Sequence, residues 1–83
     1  MKYLTKRLSY EQYEEENVLI AVGQNLKQIL ISKKISQSLL AEKMTMNRSS
    51  VSNMIRGKQT ITLYSLEKIC QELGIKSQEL LPF

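Results

Sequence analysis

Apolar residues recur at helical spacing along most of the chain. Val18, Val22, Leu26, Ile29 and Leu30, closed by Lys33, follow an i, i+3, i+4 pattern. That pattern predicts a helix from about residue 17 to residue 33 or 34, with Gln24, Asn25, Lys27 and Gln28 on its outside. Gly23 inside this helix costs up to about 1 kcal/mol relative to alanine, which points to a close neighbour there. Ser36 is a good N-cap for a second helix over residues 37–44, with Leu40, Ala41 and Met44 turned inward. Ala41 is small where a neighbouring helix must come close. Thr45 and Met46 make a turn, and Asn47 caps a third helix running from 48 to about 56. Gly57 then supplies a left-handed stop. Thr62 caps a fourth helix whose apolar positions, Leu63, Leu66, Ile69, Cys70 and Leu73, keep the same spacing until Gly74 ends it. Ser77 caps a last short helix holding Glu79, Leu80 and Leu81. No Asn-Gly or Asp-Gly hairpin signal interrupts the series. The expectation is an all-α chain of five helices, with residues 17–83 as the domain and residues 1–16 as an N-terminal arm or extra helix.

The first sixteen residues are the least patterned. Ser9 followed by Gln12 matches a capping box, so a helix is expected to begin near Tyr10. Tyr10 and Tyr13, three apart, then share a face. Two readings of this stretch stay open: a solvated arm, or a dimer or partner surface built on the tyrosines.

Composition narrows the chemistry. A chain of 83 residues supports one modest core. No apolar run approaches the roughly 18 residues a membrane helix needs, and the N-terminus lacks the apolar stretch of a signal peptide, so no membrane association is expected. One cysteine and no histidine exclude a disulfide framework and the usual zinc spacings, so neither metal nor cofactor is expected. Cys70 is expected to pack in the core, which suits a reducing cytoplasm. Without histidine, paired carboxylates or a phosphate loop, an enzyme is not expected.

The formal net charge of +4 is unevenly spread. Residues 1–16 carry Lys2, Lys6 and Arg7 against Glu11, Glu14, Glu15 and Glu16, a net −1. Residues 33–58 carry six cations (Lys33, Lys34, Lys43, Arg48, Arg56 and Lys58) against Glu42 alone, a net +5. A charge cluster is ordinarily a solvated face, but this one coincides with the second and third helices, as a footprint for a phosphate backbone does.

On a helical wheel the third helix divides cleanly. Val51, Met54 and Ile55 group on one side; Ser49, Asn53 and Arg56 group on the other, flanked by Arg48 and Ser52. Short polar side chains on the outer face let such a helix sink into a major groove, where Arg48 can pair with guanine and Asn53 has the amide geometry to read adenine. Ser49 and Ser52 can contact bases or phosphate. Gln37 and Ser38 occupy the first turn of the second helix, where free N–H groups and the positive dipole end favour a phosphate. Arg56, Lys58 and Thr60 can grip the far strand. Taken singly each has a plainer reading: Gln37 and Ser38 as caps, Arg56 and Lys58 as solvated charge. Together they have the layout of a helix-turn-helix that reads DNA.

Ser36-Gln37, Leu40-Ala41, the Thr45-Met46-Asn47 turn, Val51-Ser52 with Gly57, Leu66 with Ile69, and Leu73-Gly74-Ile75 together resemble the XRE or Cro/phage-repressor helix-turn-helix family over roughly residues 20–81. The resemblance implies a five-helix, lambda-repressor-like domain that binds operator DNA as a dimer through its third helix. It also implies Asn47, Arg48, Ser49 and Asn53 as base readers. Gln37, Ser50, Arg56 and Lys58 become phosphate contacts, with Gln37 also buttressing Arg48. Two departures stand out. The family usually has glycine where this chain has Thr45, so the turn must avoid positive φ or tolerate strain. The family commonly pairs an arginine late in the first helix with a glutamate two residues before the Gly57 position. This chain has Leu30 and Ile55 there, so an apolar seam between them is expected in place of the ion pair.

The expected function is a small sequence-specific transcriptional regulator, a repressor binding an inverted-repeat operator as a homodimer. Its dimer surface is either the last helix (Leu80, Leu81, Phe83) or the N-terminal arm. The alternative is the antitoxin of a toxin–antitoxin pair, holding a toxin through Tyr3, Tyr10 and Tyr13. A helical adaptor that binds only protein leaves the polar face of the third helix unexplained.

Overall fold

The computed structural model describes residues 7–8 and 14–83, and every regular element within them is helical. The expected capping box at Ser9–Gln12 and the tyrosines Tyr3, Tyr10 and Tyr13 lie outside the described residues. The elements are α1 (Glu15–Lys33), α2 (Gln37–Met44), α3 (Arg48–Ile55) and α4 (Leu63–Leu73), followed by a single 3-10 turn, Ser77–Glu79. α1 and α2 both pack on α3, and α4 packs on α2 and on the 3-10 turn.

Local chemistry fixes the helix starts. Ser36 Oγ accepts the Leu39 N–H at 3.0 Å, and Thr62 Oγ1 accepts the Ser65 N–H at 3.1 Å, so both expected caps form. The ends share one device. At each an N–H two or three residues past the helix reaches back five positions: Ile35 to Leu30, Met46 to Ala41, Lys58 to Asn53 and Ile75 to Cys70, at 2.8–3.0 Å. This closure needs a left-handed residue. Gly57 (φ 71°) and Gly74 (φ 65°) provide it freely, whereas Lys34 (φ 57°) and Thr45 (φ 56°) provide it under strain. Ile35, Met46 and Ile75, the residues just past three of these bends, pack back against the core.

That core gathers Leu26, Ile29, Leu30, Leu40, Ala41, Met44, Val51, Met54, Ile55, Ile69, Leu73 and Leu80. α1 lies close on the C-terminal end of α3. A Cβ added at Gly23 would stand 2.3 Å from the Ile55 carbonyl oxygen and 2.7 Å from that of Met54. A Cβ on Gly57 would stand 2.8 Å from the Ile20 Cα. The neighbour that Gly23 implied is therefore the backbone of α3.

Two expectations are corrected. The fifth helix is only the Ser77–Glu79 3-10 turn. Proline disfavours the α conformation in the residue before it, so Pro82 opposes a helix through Leu81 and leaves too short a stretch after Gly74 to propagate one. Its start is set by the Glu79 carboxylate, which accepts the Lys76 N–H at 2.8 Å, and not by Ser77. Asn25, expected outside, is 1% exposed, and its Nδ2 donates to the Leu80 carbonyl at 2.8 Å. The tail covers Asn25 on α1, and the Leu80 carbonyl gives the buried amide its partner.

Candidate nucleic-acid interface

α3 is held from behind. Val51, Met54 and Ile55 are 0%, 1% and 8% exposed and lie in the core with Leu30, which is 4% exposed. The opposite side carries Arg48 and Ser49, both exposed, and Ser52 and Asn53, both half-buried. Arg48, Ser49 and Ser52 border one open recess. Asn47 sits at the N-cap position (φ −72°, ψ 145°), but its side chain makes no capping bond. Its exposed amide thus stands at the start of α3 beside Arg48.

The other expected contacts lie before and after this helix along the chain. Gln37 is half-buried and Ser38 exposed in the first turn of α2. There Ser36 Oγ takes the Leu39 N–H and Ser36 O takes the Leu40 N–H. The Gln37 and Ser38 N–H groups have no partner within the helix, as a phosphate-binding helix start requires. Past α3, Arg56, Lys58 and Thr60 are exposed, and Ser50 is half-buried. The Gly57 turn fixes the direction in which Lys58 leaves, with its N–H on the Asn53 carbonyl at 2.9 Å. Thr45 is exposed in the bend between α2 and α3, so its strain sits where the angle between the two helices is set.

Among the described residues no group of three or more His, Cys, Asp and Glu side chains could hold a metal, and no helix is long and apolar enough to cross a membrane. Burial, and then the nearby Glu79 carboxylate, push the Cys70 thiol up, so it stays protonated at neutral pH and is a poor nucleophile.

A capped helix laid beside a second one, joined by a tight left-handed bend, with the second buried on one side and polar on the other, defines a helix-turn-helix DNA-binding domain. The chain belongs to the Cro/C1-type HTH DNA-binding domain family, whose model matches residues 25–83. It is 35% identical over 68 residues to the control protein C.BamHI of Bacillus amyloliquefaciens, covering 81% of this chain and 84% of that protein. Its structure is similar to the restriction-modification controller protein C.AhdI of Aeromonas hydrophila, with a TM-score of 0.72 and 32% identity over 76% of this chain and 96% of that one. It is also similar to SinR, the master regulator for biofilm formation, in a crystal structure with DNA. That match has a TM-score of 0.66 and 33% identity, over 71% of this chain and 95% of that one. The chain is a DNA-binding transcriptional regulator of the XRE/controller-protein type. None of the relatives described here is an antitoxin, and that alternative has no support among them.

Sequence reasoning missed the tail contacts. The Arg7 guanidinium donates to the carbonyls of Gln78, at 2.8 Å, and Leu81, and the Leu8 N–H donates to the Pro82 carbonyl at 3.1 Å. Nothing in the periodicity pointed to them. Asn25 did have a signal: it lies three residues after Val22 and four before Ile29, which places it on the inward stripe of α1.

Proposed function

We propose that this protein is a repressor that binds an inverted-repeat operator in the cytoplasm as a homodimer. The observation that carries the reading is the outer face of α3, where Arg48 and Ser49 are exposed, Ser52 and Asn53 are half-buried, and the helix places no large apolar residue of its own. Asn47, Arg48, Ser49, Ser52 and Asn53 read base edges. Arg48 takes guanine and Asn53 adenine, since a guanidinium fork and a carboxamide match those edges bidentately. Gln37, Ser38, Ser50, Arg56, Lys58 and Thr60 hold phosphates on either side and set the register. Gln37 buttresses Arg48, and Leu30 packs on Ile55 as the seam behind the reading helix. A single reading helix makes too few base contacts for high specificity, so two copies act together, with half-sites about one helical turn (roughly 34 Å) apart.

The second copy docks on the apolar surface where α1, α4 and the tail meet. Leu63 is 84% exposed and Phe83 65% exposed there, beside Leu81. Of the tail residues expected at the interface, Leu80 is fully buried and closes the core. Leu81 and Phe83 remain for the partner. Two relatives named as restriction-modification controllers or control proteins, at 35% and 32% identity, favour a restriction–modification gene set as the target.

The test is selection of bound oligonucleotides from a random pool. The expected product is an inverted repeat with half-sites about one turn apart. Enrichment of a lone half-site contradicts the dimer, and no enrichment at low salt contradicts DNA reading altogether.

A further inference from the structure

We infer that Arg7 and Leu8 form a clamp that positions the tail's outward residues, Leu81 and Phe83, for docking of a second copy of this chain. The inference rests on the homodimer reading and adds to it a device that shapes the docking face.

After the 3-10 turn Leu80 continues the turn and residues 81–83 leave it as irregular chain, and four carbonyls of residues 78–82 accept hydrogen bonds from elsewhere. Arg7 Nη2 donates to Gln78 at 2.8 Å, Arg7 Nη1 donates to Leu81, and the Leu8 N–H donates to Pro82 at 3.1 Å. From the other side, Asn25 Nδ2 donates to Leu80 at 2.8 Å. These bonds fix the alternation of the tail. Leu80 and Pro82 are buried, Leu81 is half-buried, and Phe83 is exposed. Leu81 borders two adjoining apolar recesses of about 450 and 180 Å³, each also lined by Leu63 and Leu66, and Phe83 borders the smaller. A tail left without the clamp would keep Leu80 pinned by Asn25 but would free the backbone on both sides of it.

The occupant is a second copy. Among the described residues lining the two recesses, only Glu67 carries a charge, so the surface suits apolar protein and not an anionic duplex. The smaller recess includes Leu19 and Ile61, next to the close contact between Ile20 and Gly57 at the end of α3. A two-fold operator needs both reading helices close to the dimer axis, and a recess beside the end of α3 is where a second copy meets that need. Arg7 itself is exposed, so its bonds compete with water and add little to the stability of one subunit. Their effect is to restrict the tail before association, and such preorganisation is read in affinity for the partner.

Sedimentation equilibrium of the full chain tests this. Arg7→Ala is expected to raise the dimer dissociation constant about 10-fold. Thermal unfolding of the dilute monomer is expected to shift little. Arg7→Lys, which can serve one carbonyl at a time, keeps the fold and falls between the two. In a Phe83→Ala background the same Arg7→Ala change is expected to have a clearly smaller effect, because the side chain it positions is gone. An unchanged dissociation constant in Arg7→Ala overturns the clamp. So does an equal fold-change in both backgrounds, or loss of association that only tracks loss of monomer stability. A wild-type chain that stays monomeric at every concentration overturns the homodimer reading instead.

Discussion

On its inner side α3 carries Val51, Met54 and Ile55, none more than 8% exposed; on its outer side it carries Arg48, Ser49, Ser52 and Asn53, all polar. The same eight-residue helix thus answers to two constraints. Inside, the Ile55 carbonyl stands 2.3 Å from where a Gly23 Cβ would go, so shape decides what is tolerated. Outside, side chains meet solvent until DNA arrives, and they can change without disturbing the fold. On the proposed function, stability belongs to the back of the helix and specificity to the front. Substitutions on either side should leave the other property nearly untouched.

The largest expected effect is on the back. Leu30→Arg puts a charge into the buried cluster opposite Ile55, without the acidic partner the family commonly has there. It should destabilise by about 3–5 kcal/mol, read as a steep fall in Tm. Adding Ile55→Glu should recover part of the loss. An unchanged Tm in the single variant means Leu30 and Ile55 do not form a seam. Gly23→Ala comes next, at about 3 kcal/mol, because both partners in the clash are backbone and neither can rotate away. For a domain of this size that lowers Tm by more than about 10 °C. A Gly23→Ala protein with wild-type Tm shows that α1 and α3 are not in contact there.

Which parts were legible in the sequence follows from how local each cause is. Ser36 and Thr62 cap because a hydroxyl reaches an N–H three residues on, and both starts were readable. Gly57 and Gly74 marked two ends; Lys34 and Thr45 bend identically, and at those positions residue identity argues against the bend. The outer face of α3 was legible because a helical wheel needs only the sequence. Asn25 was placed outside because an asparagine reads as polar surface, when its partner, the Leu80 carbonyl, lies 55 residues away. The clamp of Arg7 on Gln78 and Leu81 spans more than 70 residues and left no periodic trace. The fifth helix is expected from Ser77 as a cap, whereas the start is set by the Glu79 carboxylate and Pro82 opposes a helix beyond Leu80.

A smaller effect of opposite sign is expected at the junction between the two faces. Thr45 holds φ 56°, a conformation that costs a non-glycine residue about 1–2 kcal/mol. Glycine gives back part of that through its own unfolded-state entropy, so Thr45→Gly should stabilise by about 0.5–1 kcal/mol. Tm should rise by a few degrees, with the selected DNA sequence unchanged. A fall in Tm contradicts strain at Thr45, and an altered sequence preference shows that the bend also sets which bases α3 reaches.

The central claim is that the front of α3 reads bases, and parallel oligonucleotide selection with wild type and Arg48→Ala tests it most directly. The account predicts that Arg48→Ala keeps its Tm, loses about 1–3 kcal/mol on the wild-type operator, and loses preference at one symmetric position in each half-site while the other positions persist. Lys58→Ala, run alongside, should weaken all sequences evenly and flatten the salt dependence. If Arg48→Ala behaves as Lys58→Ala does, with every position preserved and affinity lowered uniformly, Arg48 touches phosphate and the account of the reading face is wrong.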